Sequence, residues 1–391
     1  MTPNGAGPSR SIVMRFNLSN HHLRSGALHL CVNASRVALT LLYAILLALP
    51  AHAEEAVTSQ NNPMMAWRLK NFPWADRDGD GVLTQDELRL HLEDVRAGRL
   101  PKQLQPTYEE VRYGPHGLQK LDLWKAPSDL PTPLLIYFHG GGFMGGSKQG
   151  IRSNPRLIQD CLNHGISLVS ANYRLAPGNP FPTPMKDGAR AIQYVRSRAI
   201  GWNVDPKRIA AMGTSAGANM AIWIAVQDDM AEPDNKHDPV LKLSTRLACV
   251  VAINGQTFND PVRIRQEIGG DEMPRIAFQF FGFTSAEDFQ TTAGRELCQQ
   301  ASAIDFVTPD DPPMLLSYNG ELDATPLPAK TPLQKIIHHP RFGELFKQKM
   351  DAAGVECILG YREAPIRHEQ IIEFLCDQLR LEPDLTAAKK N

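Results

Sequence analysis

The sequence "IAAMGTSAGANMAIW", residues 209–223, joins a short apolar run to a run of small and apolar residues that is typical of a buried helix. Gly213 and Gly217 flank Ser215 in the pattern G-x-S-x-G. Between a strand and a helix, this pattern holds a serine hydroxyl on a tight turn, where only small neighbours fit and helix amides face the site. The stretch therefore predicts a nucleophilic serine, with a purely structural glycine turn as the alternative.

From about residue 108 onward, apolar segments of strand length alternate with helical segments. The first two segments, "YEEVRYG" and "LQKLDLWKA", are typical of a strand pair, whereas "PLLIYFHGG", "ISLVSANYRLAP" and "RIAAMG" are typical of buried strands. This alternation predicts an α/β fold with a mostly parallel sheet and helices on both faces. The Phe- and Gln-rich segment 256–307 interrupts the alternation. It is therefore predicted to be an insertion that caps the site.

A glycine-rich stretch, "YFHGGGFMGG" at residues 137–146, follows one of the predicted buried strands. Consecutive glycines allow backbone N–H groups to face a ligand, as an oxyanion hole requires. We expect the amides of Gly141, Gly142 and Ala216 to be the donors. His139 is expected to shape this loop.

A nucleophilic serine needs a base, and the base needs an orienting carboxylate. In chains with a serine on such a turn, the acid and then the histidine follow it in sequence. Asp323 follows the predicted strand in "PPMLLSYNGELD", and His368 lies between the last predicted strand and helix in "REAPIRHEQIIEF". We therefore expect Asp323 to be the acid and His368 the base. The alternatives are Glu321, Asp310 and Asp311 for the acid, and His338 and His339 for the base.

An acidic loop, "DRDGDGVLTQDE" at residues 76–87, lies between two predicted helices. Its oxygen-bearing side chains and its central glycine have the spacing of an EF-hand, which wraps a calcium ion. A solvated acidic turn is the alternative, and a bound ion is expected to have a structural or docking role. The expected ligands are Asp76, Asp78, Asp80, the main-chain carbonyl of Val82, Thr84 and Glu87.

The N-terminal 53 residues contain arginines and no acidic residue, then the apolar run "VALTLLYAILLAL", then an Ala-x-Ala site. This order predicts a secretory signal peptide cleaved after Ala53. A start at Met14, or retention of the segment as an anchor, is the alternative. The expected organisation is a signal peptide over 1–53, an EF-hand-like segment and linker over 54–105, and a catalytic domain over 106–385. The mature protein is expected to be periplasmic, cell-surface or secreted.

The composition is that of an ordinary globular protein, with 42% hydrophobic residues, 21% charged residues and a formal net charge of −1 over 391 residues. These values argue against extensive disorder and against nucleic-acid binding. The 6 cysteines are scattered along the chain. They form neither a dense disulfide framework nor a zinc pattern, so mostly buried free cysteines are expected.

Several motifs together resemble one known superfamily. They are "HGGGF", "NYRLAPGNPFPTPMKDGARAIQYV", "DPKRIAAMGTSAGANMA" and the late "GELD" and "RHE". Over roughly residues 108 to 380 the chain resembles the α/β-hydrolases. Within them it is most similar to hormone-sensitive-lipase-type and bacterial feruloyl-esterase-type carboxylesterases. The resemblance implies an eight-stranded sheet and cofactor-free hydrolysis of carboxylic esters by Ser215, Asp323 and His368.

The sequence thus predicts an exported serine carboxylesterase that acts on short-chain esters. Its expected substrate is a small-molecule or polysaccharide-borne ester, with acyl groups on carbohydrate among the candidates. No nucleic-acid partner, and no membrane span after signal cleavage, is expected. Two other functions are the alternatives, namely a serine peptidase of related fold and a catalytically inactive calcium-dependent binding protein.

Overall fold

The computed structural model describes residues 56–379, apart from residues 98, 100, 102, 103 and 272–274. The predicted signal peptide, residues 1–53, lies outside the described residues. The strands are β1 (Tyr108–Arg112), β2 (Lys120–Trp124), β3 (Thr132–Phe138), β4 (Ser167–Ala171), β5 (Val204–Thr214), β6 (Val250–Ile253), β7 (Met314–Ser317) and β8 (Cys357–Gly360). The helices are α1 (Pro63–Asn71), α2 (Gln85–Arg96), α3 (Pro155–Asn163), α4 (Thr183–Trp202), α5 (Ala216–Ala225), α6 (Pro261–Glu267), α7 (Arg275–Phe281), α8 (Thr292–Gln300), α9 (Leu333–Ile337), α10 (Arg341–Ala352) and α11 (His368–Gln378).

The strands form one eight-stranded sheet in the order β1-β2-β4-β3-β5-β6-β7-β8. The β1–β2 and β2–β4 pairs are antiparallel, and all pairs from β4 to β8 are parallel. β5 lies between β3 and β6, so that Gly213 at its end is level with Phe138 and Ala252. The predicted α/β-hydrolase sheet is confirmed, and the strand that precedes Ser215 lies inside it.

Helices cover both faces of the sheet, because successive side chains of a strand point to opposite faces. Along β5, Ile209 and Ala211 join one apolar cluster, whereas Ala210 and Met212 join another. The first cluster includes the apolar residues of α4 and α5. The second includes those of α3 and α11. The helix after Ser215 and the last helix therefore lie on opposite faces of the sheet.

Residues 256–307 contribute α6, α7 and α8 between β6 and β7. Aromatic rings pack the end of α7 against the segment that leads to α8, with Phe281 in contact with Phe283 and Phe289. The loop after β7 is tied to the same helices, because the amide of Leu327 donates to the carbonyl of Ile268 at 2.7 Å. At Gly269 a Cβ atom would lie 2.1 Å from the backbone nitrogen of Leu327, so no other residue fits this contact.

The N-terminal segment of the described chain contains α1, the acidic loop and α2. Asn62 caps α1, while Thr84 and Glu87 form a capping box at the start of α2. A small core of Met65, Ala75 and Leu83 joins the two helices. The ring of Trp67 in α1 lies 5.5 Å from the guanidinium of Arg156 in α3, a cation–π contact that joins the segment to the sheet domain.

The cysteines of the described residues are free, and four of the five are buried. Burial raises the pKa of Cys249, Cys298 and Cys357 to about 12, so these thiols stay protonated at neutral pH. This agrees with the expectation of buried free cysteines. Across the described part of the chain, no helix has the length and apolar character needed to cross a membrane.

Candidate active site

Ser215 lies on the tight turn between β5 and α5. Its backbone has φ 53° and ψ −116°, a strained conformation for a residue other than glycine. The flanking glycines are required by space, since a Cβ at Gly213 would lie 2.2 Å from the carbonyl carbon of Gly217. A Cβ at Gly217 would lie 2.0 Å from the carbonyl oxygen of Phe138. The G-x-S-x-G turn therefore packs backbone against backbone and leaves Ser215 half-buried at the edge of the sheet.

The predicted oxyanion loop lies beside this turn. A Cβ at Gly140 would lie 3.5 Å from the Cβ of Ser215, which measures how closely the two backbones approach. Gly141 and Gly142 have φ values of 119° and 61°, in the region that favours glycine. Within the described residues, the amides of Gly141, Gly142 and Ala216 donate no hydrogen bond. These amides are therefore available to a ligand next to Ser215.

His139 packs at the start of the predicted oxyanion loop. Its ring stacks on Tyr173 with centroids 4.3 Å apart, and its Nδ1 lies 2.8 Å from the carbonyl oxygen of Gly140. Burial lowers the pKa of His139 to about 4, so the ring is neutral at physiological pH.

The group that contacts the hydroxyl of Ser215 is His338. Its Nε2 lies 2.9 Å from Ser215 Oγ, at hydrogen-bonding distance. His338 directly follows α9, whose residues Ile336 and Ile337 are buried. Burial lowers the pKa of His338 below its usual value, which favours the neutral ring that a general base needs.

The structure does not bring His368 to Ser215, which corrects the prediction for the base. His368 Nε2 instead lies 2.7 Å from Asp160 Oδ2 in α3. The physical reason is the packing of α11, whose apolar residues Ile372 and Leu375 join the cluster that contains α3. This packing holds the first residue of α11 beside α3. The alternative residue His338 lies at Ser215 in its place.

Asp323, the predicted acid, contacts Lys335 rather than a histidine at the site. The side-chain hydrogen bond from Lys335 lowers the pKa of Asp323. Among the described residues, no carboxylate forms a hydrogen bond or ion pair with His338. The predicted arrangement of Asp323 next to the base is therefore not what the structure contains.

The other candidate acids and His339 are also engaged elsewhere. Glu321 pairs with Arg362 at 2.7 Å, and Asp310 pairs with Arg246 at 2.9 Å. Asp311 accepts a hydrogen bond from the amide of Thr308. His339 is buried, and its Nδ1 accepts the amide of Arg341 at 3.1 Å. A cavity of about 350 Å³ borders His338, and its lining includes Glu321 and Lys335.

The acidic loop has the local structure of a cation site. Carboxylate oxygens of Asp76, Asp78 and Asp80 lie within 4.8 Å of one another. The amides of Gly79 and Gly81 donate to the two oxygens of Asp76 at 2.7 and 2.8 Å, which curls the loop around these side chains.

The groups of this loop lie close enough together to change the pKa of Asp78. The amide of Asp80 lowers the pKa of Asp78, but desolvation and the neighbouring charges of Asp80 and Glu87 outweigh it, so the pKa is raised. Like charges held together in this way fit a bound cation. Glu87 Oε1 accepts the amide of Arg77 and its Oε2 accepts that of Thr84, so the last predicted ligand also faces the loop.

The fold and the turn at Ser215 together define an α/β-hydrolase with a serine–histidine pair. Residues 121–330, more than half of the chain, match the BD-FAE family. The chain therefore belongs to the BD-FAE family, which confirms the resemblance found from the sequence motifs.

Several relatives by sequence are named as esterases. The chain is 30% identical over 169 residues to carboxylesterase NlhH of Mycobacterium tuberculosis, covering 42% of this chain and 50% of that protein. It is 30% identical over 182 residues to esterase LipI of the same organism, covering 44% of this chain and 53% of that protein. The chain thus spans about half the length of these curated relatives.

Solved structures share the fold at low identity. A truncated carbohydrate esterase from gut microbiota superposes with a TM-score of 0.54 at 18% identity, covering 72% of this chain and 99% of that one. A bifunctional GH43-CE protein of Bacteroides eggerthii superposes with a TM-score of 0.53 at 18% identity, covering 69% of this chain and 38% of that one. At this level of identity, the likeness concerns the fold.

Proposed function

We propose that this chain is an exported serine carboxylesterase that hydrolyses short-chain carboxylic esters, including acyl groups carried on carbohydrate. The observation that carries the proposal is the 2.9 Å contact between Ser215 Oγ and His338 Nε2, beside three amides that donate to no other group in the described chain. A nucleophile, a base and oxyanion donors at one point are what ester hydrolysis requires. The carboxylesterase names of the curated relatives support the same reaction.

In the proposed reaction, His338 takes the proton of Ser215 as Oγ attacks the ester carbonyl carbon. The amides of Gly141, Gly142 and Ala216 stabilise the negative charge on the carbonyl oxygen. His338 then gives its proton to the departing alcohol oxygen, which leaves an acyl group on Ser215. Water repeats the attack with His338 as base, and the carboxylic acid leaves. No cofactor takes part in these steps.

The proposed base differs from the one expected from sequence order. His338 replaces His368 because His338 contacts the hydroxyl and His368 contacts Asp160. In the proposed resting state, His338 acts without a carboxylate partner, and Asp323 belongs to an ion pair with Lys335. Burial lowers the pKa of His338, and within the described residues no carboxylate contacts the ring to raise it.

Hydrolysis of p-nitrophenyl esters from acetyl to palmitoyl tests the proposal directly. The mature chain should hydrolyse the short esters, and Ser215→Ala should lower kcat by at least about 10³-fold. Labelling of Ser215 by a fluorophosphonate separates an enzyme from an inactive scaffold. Labelling with turnover of short peptides but no ester would favour the peptidase. Turnover that survives Ser215→Ala would contradict the proposal.

We also propose that the acidic loop holds calcium, with Asp76, Asp78, Asp80, the carbonyl of Val82, Thr84 and Glu87 as ligands. Bound calcium would supply positive charge that offsets the repulsion among these carboxylates. A ligand that binds only the folded chain stabilises it, so calcium should raise the melting temperature of the wild type. The variant Asp76→Asn should lose this rise, whereas Asp86→Asn, outside the ligand set, should keep it. An equal rise in both variants would contradict the site.

Export rests on the N-terminal sequence, with its basic stretch, apolar run and Ala-x-Ala site. Expression of the full chain, followed by N-terminal sequencing of the exported protein, should give Glu54 as the first residue. Activity that stays in the cytoplasmic fraction, with an uncut N-terminus, would contradict this part of the proposal.

A further inference from the structure

An apolar cavity adjoins the oxyanion loop. It has a volume of about 50 Å³, and its lining includes Gly142, Phe143, Ile276, Phe280, Ile336 and Ile337. Gly142 is one of the proposed oxyanion donors, and Ile337 directly precedes the base His338. The cavity is therefore lined by one proposed oxyanion donor and by the residue that precedes the proposed base, which brings it close to the site in the chain. Its apolar walls suit the acyl part of the ester rather than a polar alcohol.

The side chain of Ile276 comes from α7 in the insertion and reaches over Gly142. Its Cδ1 atom lies 1.9 Å from where a Cβ of Gly142 would be. This places the end of the isoleucine directly against the backbone of the oxyanion loop. At another point of the lining, the Cδ1 atom of Ile336 lies 2.3 Å from where a Cβ of Gly270 would be. Two isoleucine ends therefore fill space that glycine leaves open.

The polar side chains Gln256, Asn259 and Arg265 also border the cavity, and the last two form hydrogen bonds elsewhere. Asn259 accepts from Asn219 at 2.9 Å and donates to the carbonyl of Ala301 at 2.7 Å. Arg265 donates to the carbonyl of Asp271 at 3.1 Å. Apart from Gln256, the groups that can contact an acyl chain here are therefore mainly apolar.

We propose that Ile276 determines the longest acyl group that the site accepts. The proposal rests on the esterase function proposed above and specifies its substrate. A cavity of about 50 Å³ holds roughly three to five water-sized groups, because one such group needs about 10–15 Å³ of this volume. That space fits acetyl to butyryl groups. A longer chain would have to displace the end of Ile276 from Gly142.

Ile276 is better suited to this role than the aromatic residues around it. Phe143 and Phe280 stack on each other with ring centroids 4.8 Å apart, and both belong to the main apolar cluster. Ile276 is half-buried and lies outside that cluster. Shortening it should therefore enlarge the cavity without disrupting the core.

The test compares kcat/KM for p-nitrophenyl acetate, butyrate and octanoate in the wild type and in Ile276→Ala. The octanoate-to-acetate ratio of kcat/KM should rise at least tenfold in Ile276→Ala. The variant Ile276→Phe should do the reverse and lower the butyrate-to-acetate ratio. Val262→Ala is the matched control, because it removes apolar atoms from the same insertion at a residue that is 39% exposed and away from the cavity.

The outcomes separate this inference from the proposed function. If the wild type hydrolyses acetate but both Ile276 variants keep its ratios, the role of Ile276 is overturned and the esterase function stands. If Val262→Ala changes the kcat/KM ratios as much as Ile276→Ala does, the change does not come from the cavity wall. The role of Ile276 is then overturned as well. If the wild type hydrolyses none of the esters, both proposals are overturned together.

Discussion

The two halves of the proposed catalytic machinery are built in different ways. Ser215 and the oxyanion amides lie at the ends of β5 and β3, where backbone packs on backbone and glycines fill the contacts. His338 lies after a helix of five residues, in a loop whose charged side chains form exposed ion pairs. The comparison teaches that the nucleophile is fixed by the sheet itself. The base is fixed by side-chain packing on a connecting loop.

The largest expected effect is a loss of stability when one methyl group is added to the nucleophile half. The same addition to the base half should have little effect. In Gly217→Ala the new Cβ would lie 2.0 Å from the carbonyl of Phe138, and neither backbone can move without breaking the sheet. We expect destabilisation of about 3 kcal/mol or more, measured by chemical unfolding. In Gly320→Ala the nearest atom is 3.4 Å away, on Pro340, so stability should change by less than about 1 kcal/mol. Equal losses of stability in Gly217→Ala and Gly320→Ala would contradict the contrast between the nucleophile half and the base half.

The second expected effect distinguishes the two histidines. His338→Ala should lower kcat/KM by at least about 10³-fold, because it removes the group that contacts Ser215. His368→Ala should change kcat/KM by less than about threefold, since it loses only a partly exposed contact with Asp160. Circular dichroism of both variants checks that they remain folded. The reverse order of losses would restore His368 as the base.

The nucleophile half was predictable from the sequence because its requirements are local. A turn with Ser215 at positive φ needs glycines at fixed spacing, and an oxyanion loop needs consecutive glycines. The base half was not predictable in the same way. His338, His339 and His368 all follow Asp323 in the sequence, and only the folded structure shows that α11 packs on α3 and holds His368 away while His338 contacts Ser215. The sequence feature that could have indicated His338 was the apolar pair Ile336 and Ile337 directly before it, which the structure buries.

A smaller effect is expected at the predicted acid. Asp323→Asn should lower kcat less than about tenfold, because the Asp323 carboxylate contacts Lys335 and not His338. Lys335→Met is the matched control, since it releases the same ion pair from the other side. A loss in Asp323→Asn as large as that in His338→Ala would mean that Asp323 reaches the base during turnover.

The smallest expected effect is in the pH profile. Burial lowers the pKa of His338, so the ring stays neutral, and active as a base, below the usual histidine pKa of about 6.5. As pH falls, kcat/KM should therefore hold until the pH drops below that value, and then decline as the ring is protonated. The measurement is kcat/KM for p-nitrophenyl acetate from pH 4.5 to 8, roughly spanning this range. An apparent pKa above about 7 would instead indicate a carboxylate partner for the ring.

The tie between the insertion and the loop after β7 has a consequence for engineering. Leu327 bonds to Ile268 and Gly270 through the backbone, and the same loop continues into α9 and His338. Transplanting residues 256–307 from a relative would therefore replace most of the lining of the proposed acyl cavity but keep Ile336 and Ile337, which are matched to the original insertion. A functional chimera of this enzyme must exchange residues 256–340 as a single block.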